Sequence, residues 1–190
     1  MKRLLCIDPG QNGSFAWIDH QGKVETRKMP EGMTAIVDGL KDLKNDGIIE
    51  VVMEDVGTYM PGNSGPAAAT FARHIGNLET AIYMLQLPLS VVRPQKWEKE
   101  SGFSVAKHRP PNYAELKERV KQFEVLVKAK KKVDKEEMQL AKKALAAADA
   151  KAKQEHKGEI KESMQRRYPH LKVPLATADA LAILTWAVEK

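Results

Sequence analysis

The sequence predicts an α/β fold in which helices pack on a mixed β-sheet. Strand-like runs crowd the first 29 residues with only short turns between them, and later strand-like runs alternate with helical patterns. Strands joined by tight turns pair antiparallel, whereas strands separated by helices commonly pair parallel. Both kinds of pairing are therefore expected in one sheet.

The predicted elements follow the order strand, strand, strand, helix, strand, helix, strand, with two further helices nearer the C-terminus. The first run ends on Asp8 and turns at Pro9-Gly10, and a glycine-containing turn joins the next two runs into a hairpin. Apolar side chains at helical spacing predict the helices, and a β-branched run that ends on Glu54 predicts the fourth strand. In chain order these elements take residues 4–8, 14–19, 24–29, 33–45, 48–54, 67–87, 89–92, 160–168 and 178–188.

Residues 107–157 differ from the rest of the chain in charge. They hold 15 Lys and Arg against 8 Asp and Glu, a net charge of +7 in a chain whose total is +6. Apolar side chains recur at helical spacing from Tyr113 and again from Met138, on either side of the basic turn Lys130–Lys132. This pattern predicts an inserted antiparallel helical hairpin, whose second arm is expected to end at Gly158. Its lysines either solvate a projecting structure, or contact DNA or a second copy of the chain.

Length and composition favour a single domain over residues 1–190, with the hairpin as an insertion and not an independent domain. The lone Cys6 excludes an internal disulfide and a cysteine-based zinc site, and it fits a reducing cytoplasm. No apolar run approaches the ~20 residues of a membrane span. The positive net charge favours a polyanionic partner such as DNA.

Three acids stand at the ends of otherwise apolar elements. Asp8 and Glu54 end strands, and Asp179 is expected in the first turn of the last helix. Each has an ordinary reading, as a turn acid, a strand-end acid or a partner of the helix dipole. Carboxylates brought together without cations repel one another, and a divalent metal relieves that repulsion. Together the three acids predict a metal site.

Five short motifs, in matching order, resemble the RuvC family of Holliday-junction resolvases within the RNase H-like superfamily. The resemblance covers about residues 1–105 and 157–190 and leaves the hairpin outside it. It implies an RNase H-like five-stranded sheet and a crossover-junction endodeoxyribonuclease that cuts four-way or other branched DNA by two-metal hydrolysis of phosphodiesters. The motifs are Ile7-Asp8-Pro9-Gly10, Met53-Glu54-Asp55-Val56, Val91–Trp97, Lys157–Pro169 and Ala178–Ile183.

The resemblance implies that Asp8, Glu54 and Asp179 are catalytic metal ligands. It implies two Mg²⁺ ions, for which Mn²⁺ is expected to substitute, and no small organic cofactor. It also implies a homodimer, because a four-way junction needs two symmetric nicks. A cytoplasmic location is expected, which is that of a bacterial host if the chain is phage-encoded.

The chain departs from the family pattern before its last acidic motif. A fourth acid usually stands three or four residues before the acid matched by Asp179, but those positions are Ala176 and Leu175. Either three carboxylates suffice or another group assists them. The candidates for that group are Asp55, Glu159 and Glu162.

Further residues are predicted to assist the site or to bind DNA, each with an ordinary alternative. Auxiliary roles are expected for Asp55, His74 and Lys157, although His74 is also typical of a satisfied or solvent-facing helix histidine. Trp97 is either a DNA contact or a packing anchor, and the loop Tyr59–Gly65 either reaches the junction or is a plain surface loop. The predicted DNA contacts are Arg73, Arg93, Lys96, Lys128, Lys130, Lys131 and Lys132.

Two functions from different classes remain open. The first is a metal-dependent nuclease, and the second is a catalytically weak or inactive branched-DNA-binding protein of the same fold. An ATPase of the actin and sugar-kinase type also begins with strand, Asp, Gly and hairpin. It is set aside because the chain has no second glycine-rich nucleotide loop.

Overall fold

The computed structural model describes residues 3–57 and 65–190. The proposed DNA-contacting loop, apart from Gly65, lies outside these residues. The strands are β1 (Leu4–Asp8), β2 (Ser14–Ile18), β3 (Val24–Lys28), β4 (Glu50–Glu54) and β5 (Leu89–Val92). The helices are α1 (Met33–Asn45), α2 (Gly65–Met84), α3 (Pro94–Glu100), α4 (Tyr113–Lys128), α5 (Lys135–Arg167) and α6 (Leu175–Val188), with a short 3₁₀ helix at Val105–His108.

The five strands form one mixed sheet in the order β3-β2-β1-β4-β5. β1 pairs antiparallel with β2, and β2 pairs antiparallel with β3, because only short turns join them. β4 pairs parallel with β1 and with β5. Helix α1 lies between β3 and β4, and α2 lies between β4 and β5, which gives the chain room to return for parallel pairing. The predicted α/β class and the mixed five-stranded sheet are confirmed.

The two faces of the sheet carry different helices. Leu5 and Ile7 of β1 belong to the apolar core that α1 and α2 complete. Successive side chains of a strand point to opposite faces, so Cys6 and Asp8 point to the other face. α6 packs against β1 and β2 and contributes no residue to the α1 and α2 core. It therefore covers the face to which Asp8 points.

Residues 1–102 and 160–190 form one compact unit, and residues 103–159 form a second. In the second unit Tyr113, near the start of α4, donates a hydrogen bond to Asp149 of α5. Glu124, near the end of α4, pairs with Lys142, which lies closer to the start of α5. Both contacts fit an antiparallel arrangement of α4 and α5.

The helix boundaries near the C-terminus correct two expectations. Gly158 does not end the second arm of the hairpin, because α5 is one continuous helix of 33 residues from Lys135 to Arg167. A single glycine costs a helix only about 1 kcal/mol relative to alanine, and the turns on both sides of it are otherwise regular. The last helix begins at Leu175 and not at Ala178, so Asp179 lies in its second turn.

Helix α3 was not expected from the sequence. It begins at Pro94, and proline suits the first position of a helix because the missing N–H would have had no helical partner there. Within residues 3–57 and 65–190, no helix is both long enough and apolar enough to cross a membrane.

Candidate metal centre

Asp8 and Glu54 lie side by side at one edge of the sheet. Parallel pairing of β1 with β4 matches Ile7 to Met53, so the next residues, Asp8 and Glu54, end the two neighbouring strands together. Paired strands lie about 4.8 Å apart, and matched residues point to the same face. The two carboxylates are therefore neighbours on the face covered by α6.

Asp179 belongs to the helix that covers this face. It is half-buried between the buried Ala178 and Ala180. Its second-turn position weakens the reading of Asp179 as a partner of the helix dipole, because that effect falls off within the first turn. The first turn, which includes Leu175 and Ala176, contains no acid.

Trp97 of α3 orients the carboxylate of Glu54. Its indole Nε1–H donates a hydrogen bond of 2.7 Å to Glu54 Oε1. Trp97 is 1% exposed and Glu54 is 7% exposed, so the bond lies away from solvent. The packing-anchor reading of Trp97 is correct, but the sequence did not indicate its hydrogen bond to Glu54. The two residues are 43 positions apart, and no local pattern links them.

The turn after β1 places a serine and a glycine against Asp8. Ser14 pairs with Asp8 across β1 and β2, which puts its side chain on the same face. It is fully buried, and its hydroxyl has no hydrogen-bond partner within the described residues. A Cβ added to Gly13 would lie 2.0 Å from the backbone oxygen of Asp8, so only glycine fits there. Ser14 was not predicted as a site residue, although a polar residue at an inward-facing strand position is a recognisable signal.

These side chains fit a magnesium site. Carboxylate oxygens are the protein ligands that Mg²⁺ prefers, and it typically takes one or two of them together with water and substrate phosphate. Asp8 and Glu54 end neighbouring strands and Asp179 lies on the helix that covers their face, so these three acids are the candidate ligands. Hydrogen bonding by Trp97 limits the rotation of Glu54, as expected of a residue behind a metal ligand.

Asp55 and Arg93 lie close together at the ends of β4 and β5. Both side chains are exposed, and Arg93 Nε lies 3.9 Å from Asp55 Oδ2. The backbone N–H of Asp55 also donates to the carbonyl of Val92, which extends the strand pairing by one residue. Lys96 is exposed on α3, with its ammonium group 5.8 Å from the centre of the Trp186 ring.

Arg73 and His74 line a cavity of about 450 Å³ together with residues of α1 and of the turn after β1. Burial lowers the pKa of His74 below its usual value. Its Nε2 atom is buried and, within the part of the chain that the structure describes, has no hydrogen-bond partner. Within the described residues, the Nε2 atom of His74 is therefore neither hydrogen-bonded nor exposed to solvent.

The lysines of the hairpin turn are all exposed. Lys130 has a φ of 54°, a left-handed conformation that reverses the chain between α4 and α5. Asp134 caps α5 by accepting hydrogen bonds from the backbone N–H groups of Glu136 and Glu137. The exposed turn lysines are Lys128, Lys130, Lys131 and Lys132, and Lys157 is exposed further along α5.

The two remaining candidates for a fourth ligand lie on α5. Glu162 is exposed. Glu159 belongs to the second unit, where its Oε2 atom and His108 Nε2 are hydrogen-bonded at 3.0 Å. Glu159 therefore contacts a histidine, His108, that was not predicted as a site residue.

The chain is therefore an α/β protein whose central parallel strands end in paired carboxylates. No protein-family model and no curated protein sequence matches it. Two solved structures of RuvC from Thermus thermophilus are similar in structure, and RuvC names the family that the sequence motifs resemble.

The first of these structures is described as T. thermophilus RuvC in complex with Holliday junction substrate. It is 15% identical, the match covers 52% of this chain and 69% of that one, and the TM-score is 0.39. The second, Thermus thermophilus RuvC, is also 15% identical. That match covers 97% of this chain and 92% of the other, with a TM-score of 0.45.

Proposed function

We propose that this protein is a Mg²⁺-dependent endonuclease that cuts four-way or other branched DNA. One observation carries the proposal: Asp8 and Glu54 end neighbouring parallel strands on the same face, and the helix that bears Asp179 covers that face. A buried carboxylate costs free energy unless it is hydrogen-bonded, paired with a cation or coordinated to a metal, and a shared metal ion also relieves the repulsion between neighbouring carboxylates. The resemblance of the sequence motifs to the RuvC family supports branched DNA as the substrate.

Asp8, Glu54 and Asp179 hold Mg²⁺ in this proposal, and Mn²⁺ substitutes for it. When bound, such ions activate a water for attack on phosphorus and stabilise the leaving oxygen. Trp97 keeps Glu54 in one orientation through its hydrogen bond. The buried hydroxyl of Ser14 stands beside Asp8 and can donate a hydrogen bond to that carboxylate or to a coordinated water.

DNA binding rests on the distribution of positive charge. Exposed lysines at the hairpin turn can neutralise phosphates, and such contacts weaken as salt rises. Arg73, Arg93 and Lys96 are exposed on the unit that carries the acids. Two copies of the chain act together in this proposal, because one copy makes only one of the two nicks that a four-way junction requires.

The test is cleavage of an end-labelled synthetic four-way junction by the wild type and by Asp8→Asn. Each is assayed in Mg²⁺ and in EDTA, beside a linear duplex of the same sequence. Asp19→Asn is the matched control, because Asp19 undergoes the same chemical change in an exposed turn, where its Oδ1 accepts hydrogen bonds from Gln21 and Lys23. Paired nicks that need Mg²⁺, spare the duplex, persist in Asp19→Asn and vanish in Asp8→Asn support the proposal.

A second function has one specific observation in its favour. The apolar Leu175 and Ala176 stand where the family pattern has an acid, which supports a branched-DNA-binding protein with weak or no nuclease activity. Tight binding of the junction without cleavage in Mg²⁺ or Mn²⁺ would favour this function over the nuclease. Equal affinity for junction and duplex would argue against both.

A further inference from the structure

The second unit contains a cluster of two histidines and one glutamate that plays no part in the proposed nuclease site. His108, His156 and Glu159 each offer one ligand atom, and these atoms all lie within 4.8 Å of one another. His108 Nε2 lies 3.0 Å from Glu159 Oε2. The three side chains therefore converge on one point.

Local structure explains why these three residues meet. His156 and Glu159 are three positions apart on α5, so they share one face of that helix. His108 ends the 3₁₀ helix Val105–His108, which Ser104 caps by accepting a hydrogen bond from the N–H of Ala106. The cap fixes the short helix, and the short helix presents His108 to the face of α5.

The cluster is partly shielded from solvent. His156 is 4% exposed, and the ring of Phe103 packs edge-on against it at a centroid distance of 6.5 Å. The side chains of His108 and Glu159 are 20% and 32% exposed, which leaves an entry path for an ion. Three protein ligands leave the fourth position of a tetrahedral ion to a water molecule, which the open side admits.

We propose that His108, His156 and Glu159 bind a divalent transition-metal ion of the Zn²⁺ class. Two imidazole nitrogens and one carboxylate are a donor set for Zn²⁺, Co²⁺, Ni²⁺ or Fe²⁺, whereas Mg²⁺ prefers oxygen ligands alone. Ligands about 2.0–2.1 Å from a tetrahedral ion lie roughly 3.3 Å from one another. The 3.0 Å separation of His108 Nε2 from Glu159 Oε2 is already close to that value. The other ligand-atom separations are at most 4.8 Å, so they must shorten by no more than about 1.5 Å.

Charged groups around the cluster have the arrangement expected behind metal ligands. His108 Nε2 faces Glu159, and its other nitrogen, Nδ1, lies 3.8 Å from Glu155 Oε2. A ligating histidine commonly directs its second nitrogen to a carboxylate, which fixes the ring orientation. Lys107 Nζ lies 4.0 Å from Glu159 Oε1 and helps to hold that carboxylate.

The ion has a structural role in this proposal. It joins residue 108, before α4, to residues 156 and 159 on α5, and so closes the chain segment that contains the helical hairpin. Metal binding by a site that is absent from the unfolded chain stabilises the folded state. The competing explanation is a set of ordinary polar contacts of His108 with Glu155 and Glu159, which needs no metal.

The experiment titrates the full-length protein, stripped with EDTA, with Co²⁺ followed by visible absorption and then displaced by Zn²⁺. The variants are His108→Gln and Glu159→Gln, which alter partly exposed side chains, and His156→Gln. His170→Gln is the matched control, because His170 is an exposed histidine of the other unit. Asp8→Asn is included to separate this site from the proposed Mg²⁺ site.

We expect one equivalent of Co²⁺ with the intense visible bands of a four-coordinate site, and displacement by Zn²⁺. Affinity falls more than about 100-fold in His108→Gln and Glu159→Gln, because losing even an outer partner of a metal ligand costs about 10–100-fold. Binding is unchanged in His170→Gln and Asp8→Asn. In parallel, Zn²⁺ at about 100 times its Kd raises the thermal midpoint of the wild type by roughly 5 °C or more.

The result that overturns the proposal is weak, non-stoichiometric binding, or binding that His108→Gln and His170→Gln retain equally. If His156→Gln fails to fold, His108→Gln and Glu159→Gln still decide the matter. Loss of cleavage in Asp8→Asn with an intact Co²⁺ spectrum would leave both sites supported. An intact Co²⁺ site in a protein that never cuts DNA would remove the nuclease proposal alone.

Discussion

Replacement of Trp97 by Phe tests the link between the core and the carboxylate of Glu54. The change removes a hydrogen bond of 2.7 Å between an indole N–H and a buried carboxylate. Hydrogen bonds to charged groups contribute about 1.5–3 kcal/mol, and the smaller ring adds about 1 kcal/mol for the cavity it leaves. We expect the free energy of unfolding to fall by about 2.5–4 kcal/mol.

Trp186 provides the matched control within the same chain. Its indole Nε1 donates a hydrogen bond of 2.8 Å to Glu100 Oε2, which is exposed and also pairs with Lys190. Trp186→Phe removes the same kind of bond from a place where water replaces it. The loss of stability should therefore be much smaller than in Trp97→Phe.

Urea denaturation of the wild type and of both variants measures these losses. A double-mutant cycle with Glu54→Met isolates the pair, since an apolar residue of similar shape leaves no carboxylate without its donor. The expected coupling between Trp97 and Glu54 is about 1.5–3 kcal/mol. Equal losses in Trp97→Phe and Trp186→Phe, or a coupling indistinguishable from zero, would refute the reasoning. As a second readout, the Mg²⁺ concentration for half-maximal cleavage should rise about 10–100-fold in Trp97→Phe.

Three further predictions concern Gly13, Gly158 and His74. Gly13→Ala should lower stability by about 3 kcal/mol, because the new Cβ meets the backbone oxygen of Asp8. Gly158→Ala, which meets no atom within 4 Å inside α5, should raise stability by about 0.5–1 kcal/mol, and thermal unfolding measures both changes. Burial lowers the pKa of His74, so the folded state is not penalised above the unfolded pKa of about 6.5 and loses stability as pH falls from there through the lower folded pKa. In His74→Gln the urea midpoint should fall less steeply below about pH 6.5 than in the wild type, and an unchanged pH dependence would contradict this.

Local patterns were sufficient for much of the sheet. Strands β1 to β3 could be predicted with their pairing, because short turns leave adjacent strands little choice of partner. The position of β4 beside β1 could not, since parallel pairing joins segments that are distant in sequence. The adjacency of Asp8 and Glu54 follows from that pairing. The positions of Asp8 and Glu54 at the ends of strands could be predicted from the sequence. That the two acids are neighbours follows only from the register of β1 with β4.

Helix boundaries were harder to predict for energetic reasons. Gly158 indicated a break, yet one glycine costs too little to end a helix of 33 residues. The start of α6 had a local signal in Pro174, which the structure places at the N-cap. That proline moves the helix start one turn earlier than expected and takes Asp179 out of the first turn.

Contacts between residues that are distant in sequence were the hardest to predict. The spacing of His156 and Glu159 on one helix was visible, but His108 lies 48 positions earlier and joins them only through the fold of the second unit. Ser14 was overlooked because a serine in a strand is ordinary until its pairing with Asp8 is known. In each of these cases the missing information was tertiary.

The rate at which Cys6 reacts with a thiol reagent can report how often the central strand β1 opens. Cys6 is the only cysteine in the chain, it is fully buried in β1 two residues before Asp8, and burial raises the pKa of its thiol well above the usual value. Only a thiolate reacts with alkylating or disulfide reagents, so labelling must wait until β1 opens. The labelling rate therefore reports how often the strand that carries Asp8 separates from its neighbours. An ion that binds only the closed sheet slows that rate, so binding at the proposed Mg²⁺ site can be tested without any DNA being cut.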